Sequence, residues 1–410
     1  MLKIKQLHLE NFRGFSDTNI EFGEHITCIA GINGTGKTTI LGAIEKCMLI
    51  FLNKNHLARY SRTKYGLTSV DVHLLPGDSF LTKSLTASID LELSINSKNS
   101  HIKQSICKQG ASFRYLNSDY IGNDFEKAES CPVFAFYSIN RRNTTASKVQ
   151  KMSYENPIFT AWEYVNLINF DCFLDWFKNE KLYEYQEKEK NHSYESPQLK
   201  AVKSAISSFF GEDLQLNVRG SQLTANKNGL EILFSSLSDG EKSLCMLFAD
   251  IARRLAIANP NLKNPLEGNG VILVDEIEMH LHPSWQRKVC RALVKTFQNC
   301  QFIITTHSPQ VLGELQPQDI RLLNNFKITT PPQSFGLDSN SVIKILMNKD
   351  NEDYTINESI KGELNKVSRL ISDGKYNEAK LKLSDIDKMT YGSTPESVEL
   401  MAMLTTMFGV

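Results

Sequence analysis

Residues 28–39 read Cys-Ile-Ala-Gly-Ile-Asn-Gly-Thr-Gly-Lys-Thr-Thr and match the pattern G-x-x-x-x-G-K-[ST] from Gly31 to Thr38. The preceding residues 25–30 are largely apolar and β-branched, which is typical of a buried strand, and residues 37–51 carry apolar side chains at helical spacing. A strand, a glycine loop and a helix N-terminus form an anion cradle, because backbone N–H groups and the helix dipole favour negative charge there. The stretch therefore predicts a site for a nucleoside triphosphate.

The fixed positions of this pattern have separate expected roles. Lys37 is predicted to reach the β- and γ-phosphates of ATP, and the Thr38 hydroxyl is predicted to ligate Mg²⁺. A glycine-rich turn that fits the pattern by chance is the alternative, and the matching flanks argue against it. The other candidate ATP-binding residues of the loop are Gly31, Asn33, Gly34, Thr35, Gly36 and Thr39.

The amino-acid composition is that of an ordinary globular protein. The chain has 410 residues, of which 41% are hydrophobic and 22% are charged, and its formal net charge is zero. Any nucleic-acid contact must therefore come from a local basic patch. The eight cysteines are scattered without a C-x-x-C pair, which suits a reducing compartment. With no signal peptide and no apolar run of membrane length, we expect a cytoplasmic protein without a membrane partner.

Apolar strands alternate with helical segments along most of the chain. This alternation predicts an α/β fold with a mixed, largely parallel sheet and flanking helices. Residues 2–10 alternate between apolar and polar and begin an N-terminal antiparallel β part, and residues 230–234 are expected to return to strand. The expected segments are an N-terminal lobe (1–152), a helical insertion (153–212), a C-terminal lobe (213–330) and a C-terminal helical tail (331–410).

Local patterns add finer expectations. Residues 85–95 and 102–115 are predicted to form a hairpin joined by the polar tract 96–100. The basic, aromatic segment 53–66 is interpreted as a solvated loop, with a contact to a phosphate backbone as the alternative. Residues 360–386 show two apolar stripes and predict an αα-hairpin, whose exposed faces could either dock a partner or pack on the rest of the chain.

Two carboxylates end a buried strand in the second half of the chain. The apolar run 270–274 leads directly into Asp275, predicted to hold Mg²⁺ through water opposite Thr38, and Glu276, predicted to orient or deprotonate the attacking water. Charge at a buried strand end costs free energy unless it is used or paired. His307 ends another apolar strand and is predicted to touch the γ-phosphate, although a lone histidine is more often structural. The catalytic candidates are Glu276, His307 and Lys37.

The segment Ser238-Asp239-Gly240-Glu241 allows two interpretations. The spacing S-x-x-E is that of a capping box, which would open the following helix. Alternatively, Ser238 and Gly240 contact a phosphate, because a helix N-terminus attracts anions. The residues alone leave both interpretations open.

Taken together, these motifs resemble those of the ABC-type ATPases of the SMC/RecF branch. The resemblance covers residues 31–38, 237–241, 275–276, His307 and the opening 2–15. In that family two ATPase domains, called heads, sandwich two nucleotides. The resemblance therefore implies a P-loop ATPase head that forms a homodimer or a higher homo-oligomer around ATP and Mg²⁺.

The resemblance also assigns roles to individual residues. Ser238, Gly240 and Glu241 would belong to the segment that faces the ATP of the other head, and Arg13 would join the ATP site from the chain opening. The glutamine loop of the family is expected after residues 133–137. No clear glutamine stands there, and Asn140 or Arg141 takes its position.

A narrower resemblance points to ATPases of bacterial anti-phage systems. Residues 275–286, 305–312 and 335–341 are similar to the corresponding stretches of the OLD family and of the PtuA subunits of Septu and related retron systems. OLD proteins carry a Toprim nuclease after the head, whereas residues 385–387 provide the sole D-x-D after Leu315. The resemblance implies a separate HNH-type nuclease, similar to PtuB, as the partner. A reverse transcriptase with its RNA–DNA, and DNA itself, are further expected partners.

One other pattern has a competing chemical interpretation. His280 and His282 could form a metal pair, but no nearby cysteine or third ligand supports this.

The sequence thus predicts an ATP-hydrolysing head that gates a separate nuclease, with slow turnover. One rival is a RecF-like repair ATPase that binds duplex DNA in a salt-sensitive way. The other is a nucleotide-bound scaffold that restrains a toxic partner with little turnover. Single-turnover hydrolysis distinguishes the scaffold from the enzyme, and the proteins bound in the native host distinguish the repair role.

Overall fold

The fold is described from a computed structural model of the chain. It covers residues 1–55, 66–73, 85–109, 112–121, 131–139, 170–212, 214–347 and 358–408. The chain divides into two compact units, Met1–Asp338 and Ser339–Val410. The four predicted segments differ from this division and stay predictions. No helix within the described residues is both long and apolar enough to cross a membrane.

Strands and helices of the described residues are numbered in chain order. The strands are β1 Leu2–Phe12, β2 Phe15–Glu21, β3 Ile26–Ala30, β4 Leu85–Ile95, β5 Lys98–Gln109, β6 Ser112–Ile121, β7 Val133–Tyr137, β8 Leu214–Arg219, β9 Gln222–Lys227, β10 Leu230–Leu233, β11 Gly270–Val274, β12 Cys300–Thr306, β13 Ile320–Asn324 and β14 Lys327–Thr329. The helices of the first unit are α1 Lys37–Lys54, α2 Phe170–Lys190, α3 Pro197–Phe210, α4 Asp239–Ala258, α5 Pro283–Thr296 and α6 Pro309–Leu312. Those of the second are α7 Ser339–Val342, α8 Glu358–Ser372, α9 Tyr376–Met389 and α10 Pro395–Phe408.

The central sheet has six strands in the order β14-β13-β3-β12-β11-β7. Neighbouring strands from β13 to β7 are parallel, and β14 is antiparallel to β13. Every residue of β3, β7, β11 and β12 is buried, as expected for strands of a parallel sheet. The predicted α/β fold with a largely parallel sheet is confirmed.

A second sheet of five antiparallel strands, ordered β2-β1-β4-β5-β6, forms the predicted N-terminal β part. The register of β1 on β4 shifts after Ile4. At this position the buried side-chain amide of Gln301 on β12 hydrogen-bonds the Ile4 backbone. Its Oε1 accepts from the Ile4 N–H (2.7 Å), and its Nε2 donates to the Ile4 carbonyl (2.8 Å). These two bonds tie the antiparallel sheet to the central one.

The predicted hairpin differs in detail from the observed strands. Asn96 and Ser97 both have positive φ and make the whole turn, so β5 begins at Lys98. The second predicted strand, 102–115, spans two observed strands, because β5 ends at Gln109 and β6 begins at Ser112.

The predicted helical insertion is described from residue 170 onward, where it consists of α2 and α3. A three-stranded antiparallel sheet, β10-β9-β8, follows it. We expected a strand only at residues 230–234, so β8 and β9 were missed. The turn residues Asn228 and Gly229, both with positive φ, carried the sequence signal for the β9–β10 hairpin.

The second unit contains the predicted αα-hairpin, α8 and α9. Gly374, with φ = 74°, follows α8, and the chain turns there into α9. α10 begins with a cap in which Thr394 and Ser397 exchange bonds between hydroxyl and backbone N–H. The apolar core of the three helices consists of Leu364, Val367, Ile371, Ala379, Leu383, Ile386 and Leu404. The expected helix at 339–347 is α7 followed by a π-helical turn at Ile343–Met347.

Candidate ATP site

The candidate site lies at the edge of the central sheet where the parallel strands end. β3, β12 and β11 are neighbours in that sheet, and their residues pair in register. The glycine loop follows β3, His307 follows β12, and Asp275 with Glu276 follows β11. Parallel strands have their carboxyl ends at one edge, which brings these three predicted groups together.

The glycine loop needs glycine at specific positions. Gly34 and Gly36 have φ values of 80° and 104°, a region that side chains disfavour. A Cβ on Gly31 would lie 2.5 Å from the Leu323 carbonyl oxygen, so the loop packs directly against β13. Gly36 precedes α1 without a side-chain cap, and the first N–H groups of α1 are therefore left for an anion.

Lys37 is held within this loop. Its Nζ donates to the carbonyl oxygens of Gly31 (2.8 Å) and Ile32 (3.0 Å). Burial lowers the pKa of Lys37, an effect that the nearby carboxylates of Glu276, Glu278 and Asp275 oppose. A phosphate entering the loop can take over the bonds that the two carbonyls now accept.

Asp275 joins the glycine loop to β12. The Thr38 hydroxyl donates to its Oδ2 (2.9 Å), and the Thr305 hydroxyl donates to its Oδ1 (2.5 Å). The Asp275 side chain is buried, whereas Thr38 is exposed. Asp275 and Thr38 offer hard oxygen donors side by side, the kind of ligand that Mg²⁺ prefers, so the residues present fit the predicted metal. Sequence reasoning missed Thr305.

Glu276 adopts a backbone conformation that is uncommon for its type, with φ = 46°. Its N–H donates to the Thr305 hydroxyl (2.8 Å), and its carbonyl accepts from the Met279 N–H (3.0 Å). Glu276 therefore lies in a tight turn at the end of β11, and the bond to Thr305 on β12 fixes its backbone. Its side chain is half-buried.

His307 is paired with a carboxylate that the sequence did not identify. The buried Glu278 accepts through Oε1 from the His307 backbone N–H (2.7 Å), and the same oxygen lies 2.9 Å from His307 Nδ1. Its Oε2 accepts from the Thr306 hydroxyl (2.7 Å). Burial tends to raise the pKa of Glu278, but bonds from His307 and Thr306 outweigh it and lower that pKa. The bond to Glu278 raises the pKa of His307 despite the opposing effect of burial.

Ser238 forms the capping box of α4. The Ser238 hydroxyl accepts from the Glu241 N–H (3.3 Å), and the Ser238 N–H donates to the Glu241 carboxylate (3.0 Å). Lys227 Nζ contacts the same carboxylate at 2.6 Å. A Cβ on Gly240 would lie 2.5 Å from the His280 carbonyl oxygen, so glycine is required for this packing. Among the described residues, no hydrogen bond joins this segment to the glycine loop of the same chain, and its contact with ATP stays a prediction.

Arg13 binds a carboxylate that is not part of the glycine loop. Its guanidinium binds the buried Asp71 (2.9 Å from both Nε and Nη2) and lies over the Phe12 ring. Thr68 and Lys46 also contact Asp71. The predicted role of Arg13 in ATP binding therefore requires that it leave Asp71 or reach the ligand from this position.

The remaining expectations have simpler outcomes. Asn33 and Gly34 are exposed on the loop, Thr35 donates to the Ile32 carbonyl (2.8 Å), and Thr39 is half-buried in α1. Asn140, Arg141 and most of the basic segment, 56–65, lie outside the described residues.

His282 accepts from the Ser284 N–H (3.3 Å) and so caps α5. Within the described residues, no group of three or more His, Cys, Asp or Glu side chains is arranged to hold a metal.

A buried ionic cluster that sequence reasoning missed lies on α4. Asp250 accepts from Arg253 (2.7 and 3.0 Å), from Arg254 (2.7 Å) and from the Tyr137 hydroxyl (2.9 Å). The Tyr137 carbonyl in turn accepts from the Asp275 N–H (2.8 Å). The cluster connects α4 to the strand next to β11.

The chain is similar in sequence to a known protein family and to ATPases of retrons. A family model described as "AAA domain, putative AbiEii toxin, Type IV TA system" matches residues 26–313. The Retron Vc95 probable ATPase of Vibrio cholerae is 28% identical over 93% of this chain and 86% of that protein. The Retron Ec83 probable ATPase of Escherichia coli is 30% identical over 79% of this chain and 72% of that protein.

Two further matches are a relative in sequence and a solved structure. The Septu protein PtuA of Bacillus thuringiensis is 25% identical over 76% of this chain and 73% of that protein. The solved Smc head domain from Pyrococcus furiosus is 16% identical, with a TM-score of 0.47, over 84% of this chain and 99% of that one. The chain belongs to the matched AAA-domain family, as an ABC-type ATPase of the SMC/RecF/OLD branch and of the retron and Septu type.

Proposed function

We propose that the chain binds ATP with Mg²⁺ at this sheet edge and hydrolyses it. The observation that carries the proposal is the convergence of the glycine loop, Asp275, Glu276 and His307 at the ends of three neighbouring strands. Retron ATPases among the relatives support the same activity.

Each residue has a role in the proposed reaction. Backbone N–H groups of the loop and α1 bind the phosphates, and Lys37 holds the β- and γ-phosphates. Glu276 accepts a proton from a water whose oxygen bonds to the γ-phosphorus, while the bond from that phosphorus to the bridging oxygen breaks and ADP leaves. His307 donates to the γ-phosphate. Bound between Thr38 and Asp275, Mg²⁺ would supply positive charge to the phosphate oxygens.

We further propose that two heads close around ATP. The exposed Ser238 at the start of α4 is a suitable contact for a phosphate of the other head, because a helix N-terminus favours anions. Gly240 and Glu241 shape that terminus. To donate to a phosphate, the Ser238 hydroxyl would turn its proton away from the Glu241 carboxylate, to which it now donates (2.8 Å). It could still accept from the Glu241 N–H and so keep that part of the capping box.

The partner in this proposal is a separate HNH-type nuclease, with a reverse transcriptase and its RNA–DNA, and DNA, as further components. The similarity to Septu PtuA and to retron ATPases supports this. ATP-driven closure would change the geometry between heads that the nuclease contacts, and hydrolysis would reset it.

Light scattering with and without Mg-ATP tests head closure. Glu276→Gln should bind ATP and accumulate a dimer, because the closed state is not consumed by hydrolysis. Adding Ser238→Arg to Glu276→Gln should restore the monomer mass while ATP binding persists. A Glu276→Gln protein that binds ATP with no change in mass would contradict closure.

A pull-down from the native host tests the partner. We expect a stoichiometric HNH nuclease on the tagged chain, and RNA–DNA would add a retron to the assembly. Replication or recombination proteins in its place would contradict the nuclease proposal and favour a RecF-like role.

A further inference from the structure

Glu278 differs from the other carboxylates of the site in what it contacts. It stands three residues after Asp275 and is buried, and both of its oxygens are engaged by the residues that end β12. The Thr306 hydroxyl donates to one carboxylate oxygen. The backbone N–H and the ring Nδ1 of His307 both contact the other oxygen. The side chain therefore fixes the backbone and the ring of His307 at once.

This arrangement determines how the imidazole of His307 is oriented. Nδ1 lies 2.9 Å from the Glu278 carboxylate, so Nδ1 carries the proton in that bond. The other ring nitrogen, Nε2, is on the far side of the ring. The His307 side chain is 44% exposed, so the ring is not enclosed by the protein.

The carboxylate also favours the charged form of the ring. A negative oxygen at hydrogen-bond distance stabilises an imidazolium, as it does in hydrolases that use a carboxylate behind a histidine. The bond to Glu278 raises the pKa of His307, the charge of Glu276 acts in the same direction, and burial and the charge of Lys37 oppose them. A protonated Nε2 can donate to a phosphate oxygen, whereas a neutral ring with its proton on Nδ1 cannot.

We propose that Glu278 is a positioning residue, which orients His307 and places a negative charge beside its Nδ1 so that Nε2 donates to the γ-phosphate. This role rests on the proposed hydrolysis of ATP at the same edge. Glu278 itself is buried, with Thr306 and His307 on its two oxygens, so in this proposal it acts through His307.

The first test reads His307 directly and needs no ATP. In the full chain labelled with ¹⁵N-histidine, the His307 ring is assigned by its loss in His307→Asn and titrated by NMR. We expect a pKa above the ordinary 6.5, with the proton on Nδ1 in the neutral ring. In Glu278→Gln, the pKa of His307 should fall toward its ordinary value, because the carboxylate that favours the imidazolium is gone.

The second test separates positioning from binding. Glu278→Gln should lower kcat about 10- to 100-fold and change KM for Mg-ATP less than threefold, because the ground-state contacts of ATP remain. The matched control is Glu314→Gln, which removes an exposed carboxylate paired with Arg287 (3.2 Å) and should leave both constants unchanged.

The outcomes distinguish this inference from the proposed function. If His307 of the unmodified chain titrates at or below 6.5, the positioning role is wrong, whether or not Glu278→Gln folds. If the pKa of His307 follows Glu278 but the unmodified chain does not hydrolyse ATP, hydrolysis fails and the pairing stands. A Glu278→Gln protein with unchanged kcat would also overturn the proposal.

Discussion

Two buried aspartates of this protein are satisfied in opposite ways. Asp250 on α4 is bound by the guanidinium groups of Arg253 and Arg254, all three side chains being almost inaccessible to solvent. Asp275 at the sheet edge accepts from the hydroxyls of Thr38 and Thr305. An arginine cannot give up its charge, whereas a hydroxyl can rotate to another partner. The first cluster is therefore suited to fix α4 against the sheet, and the second to exchange partners when a ligand arrives.

The first prediction concerns the fixed cluster and has the largest effect. Asp250→Ala leaves two buried guanidinium groups without their shared carboxylate, so the free energy of unfolding should fall by about 3–5 kcal/mol. Denaturant unfolding measures it. The control Asp385→Ala removes an exposed aspartate paired with Lys388 and should change stability by about 0–1 kcal/mol. A drop in ATPase activity with unchanged stability would place Asp250 in the site instead.

The second prediction concerns the exchangeable cluster. Thr305→Val removes both the bond to Asp275 and the acceptor for the Glu276 N–H, so ATP hydrolysis should fall about 10- to 100-fold. Steady-state kinetics measures the rate of ATP hydrolysis. The control Thr405→Val makes the same substitution on α10, outside the candidate site, and should leave that rate unchanged. Activity at the unmodified rate would mean that β12 does not position the two carboxylates.

The smallest effect is a dependence of stability on pH. Burial tends to raise the pKa of Asp250, but Arg254 and Arg253 hold it far below its ordinary value. The ionised Asp250 therefore stabilises the fold at pH values above the pKa of an aspartate in the unfolded chain, about 3.9. This stabilisation is lost as the pH falls below that value. Between pH 5 and pH 3, the free energy of unfolding of the unmodified chain should fall by about 1 kcal/mol more than that of Asp250→Asn. Parallel losses in both proteins would contradict the assigned ion pair.

The comparison also explains what the sequence could predict. The glycine loop and the strand-end carboxylates could be identified as candidates from the sequence, because the motif and the strand periodicity lie within a few residues of each other. The partners of the candidate residues were not found, because they are distant in sequence: Arg13 meets Asp71, and Glu278 meets His307. Only the fold brings such pairs together.

The same distinction holds for the fold. The fully buried strands β11 and β12 were predicted, since burial on both faces of the sheet leaves a largely apolar run. The strands β8 and β9, each of six residues, were missed because polar residues interrupt their apolar pattern, although Asn228-Gly229 marks a tight turn. The Asp250 cluster could have been suspected from its spacing to Arg253 and Arg254, which lie three and four residues along α4.

Single-turnover ATP hydrolysis with Mg²⁺ tests the central claim most directly. The unmodified chain, Glu276→Gln and Lys37→Ala are mixed in excess over labelled ATP, and bound and cleaved nucleotide are measured together. We predict cleavage by the unmodified chain, ATP bound but cleaved about 10²- to 10⁴-fold more slowly by Glu276→Gln, and weakened binding by Lys37→Ala. Cleavage by Glu276→Gln at the unmodified rate would contradict the account.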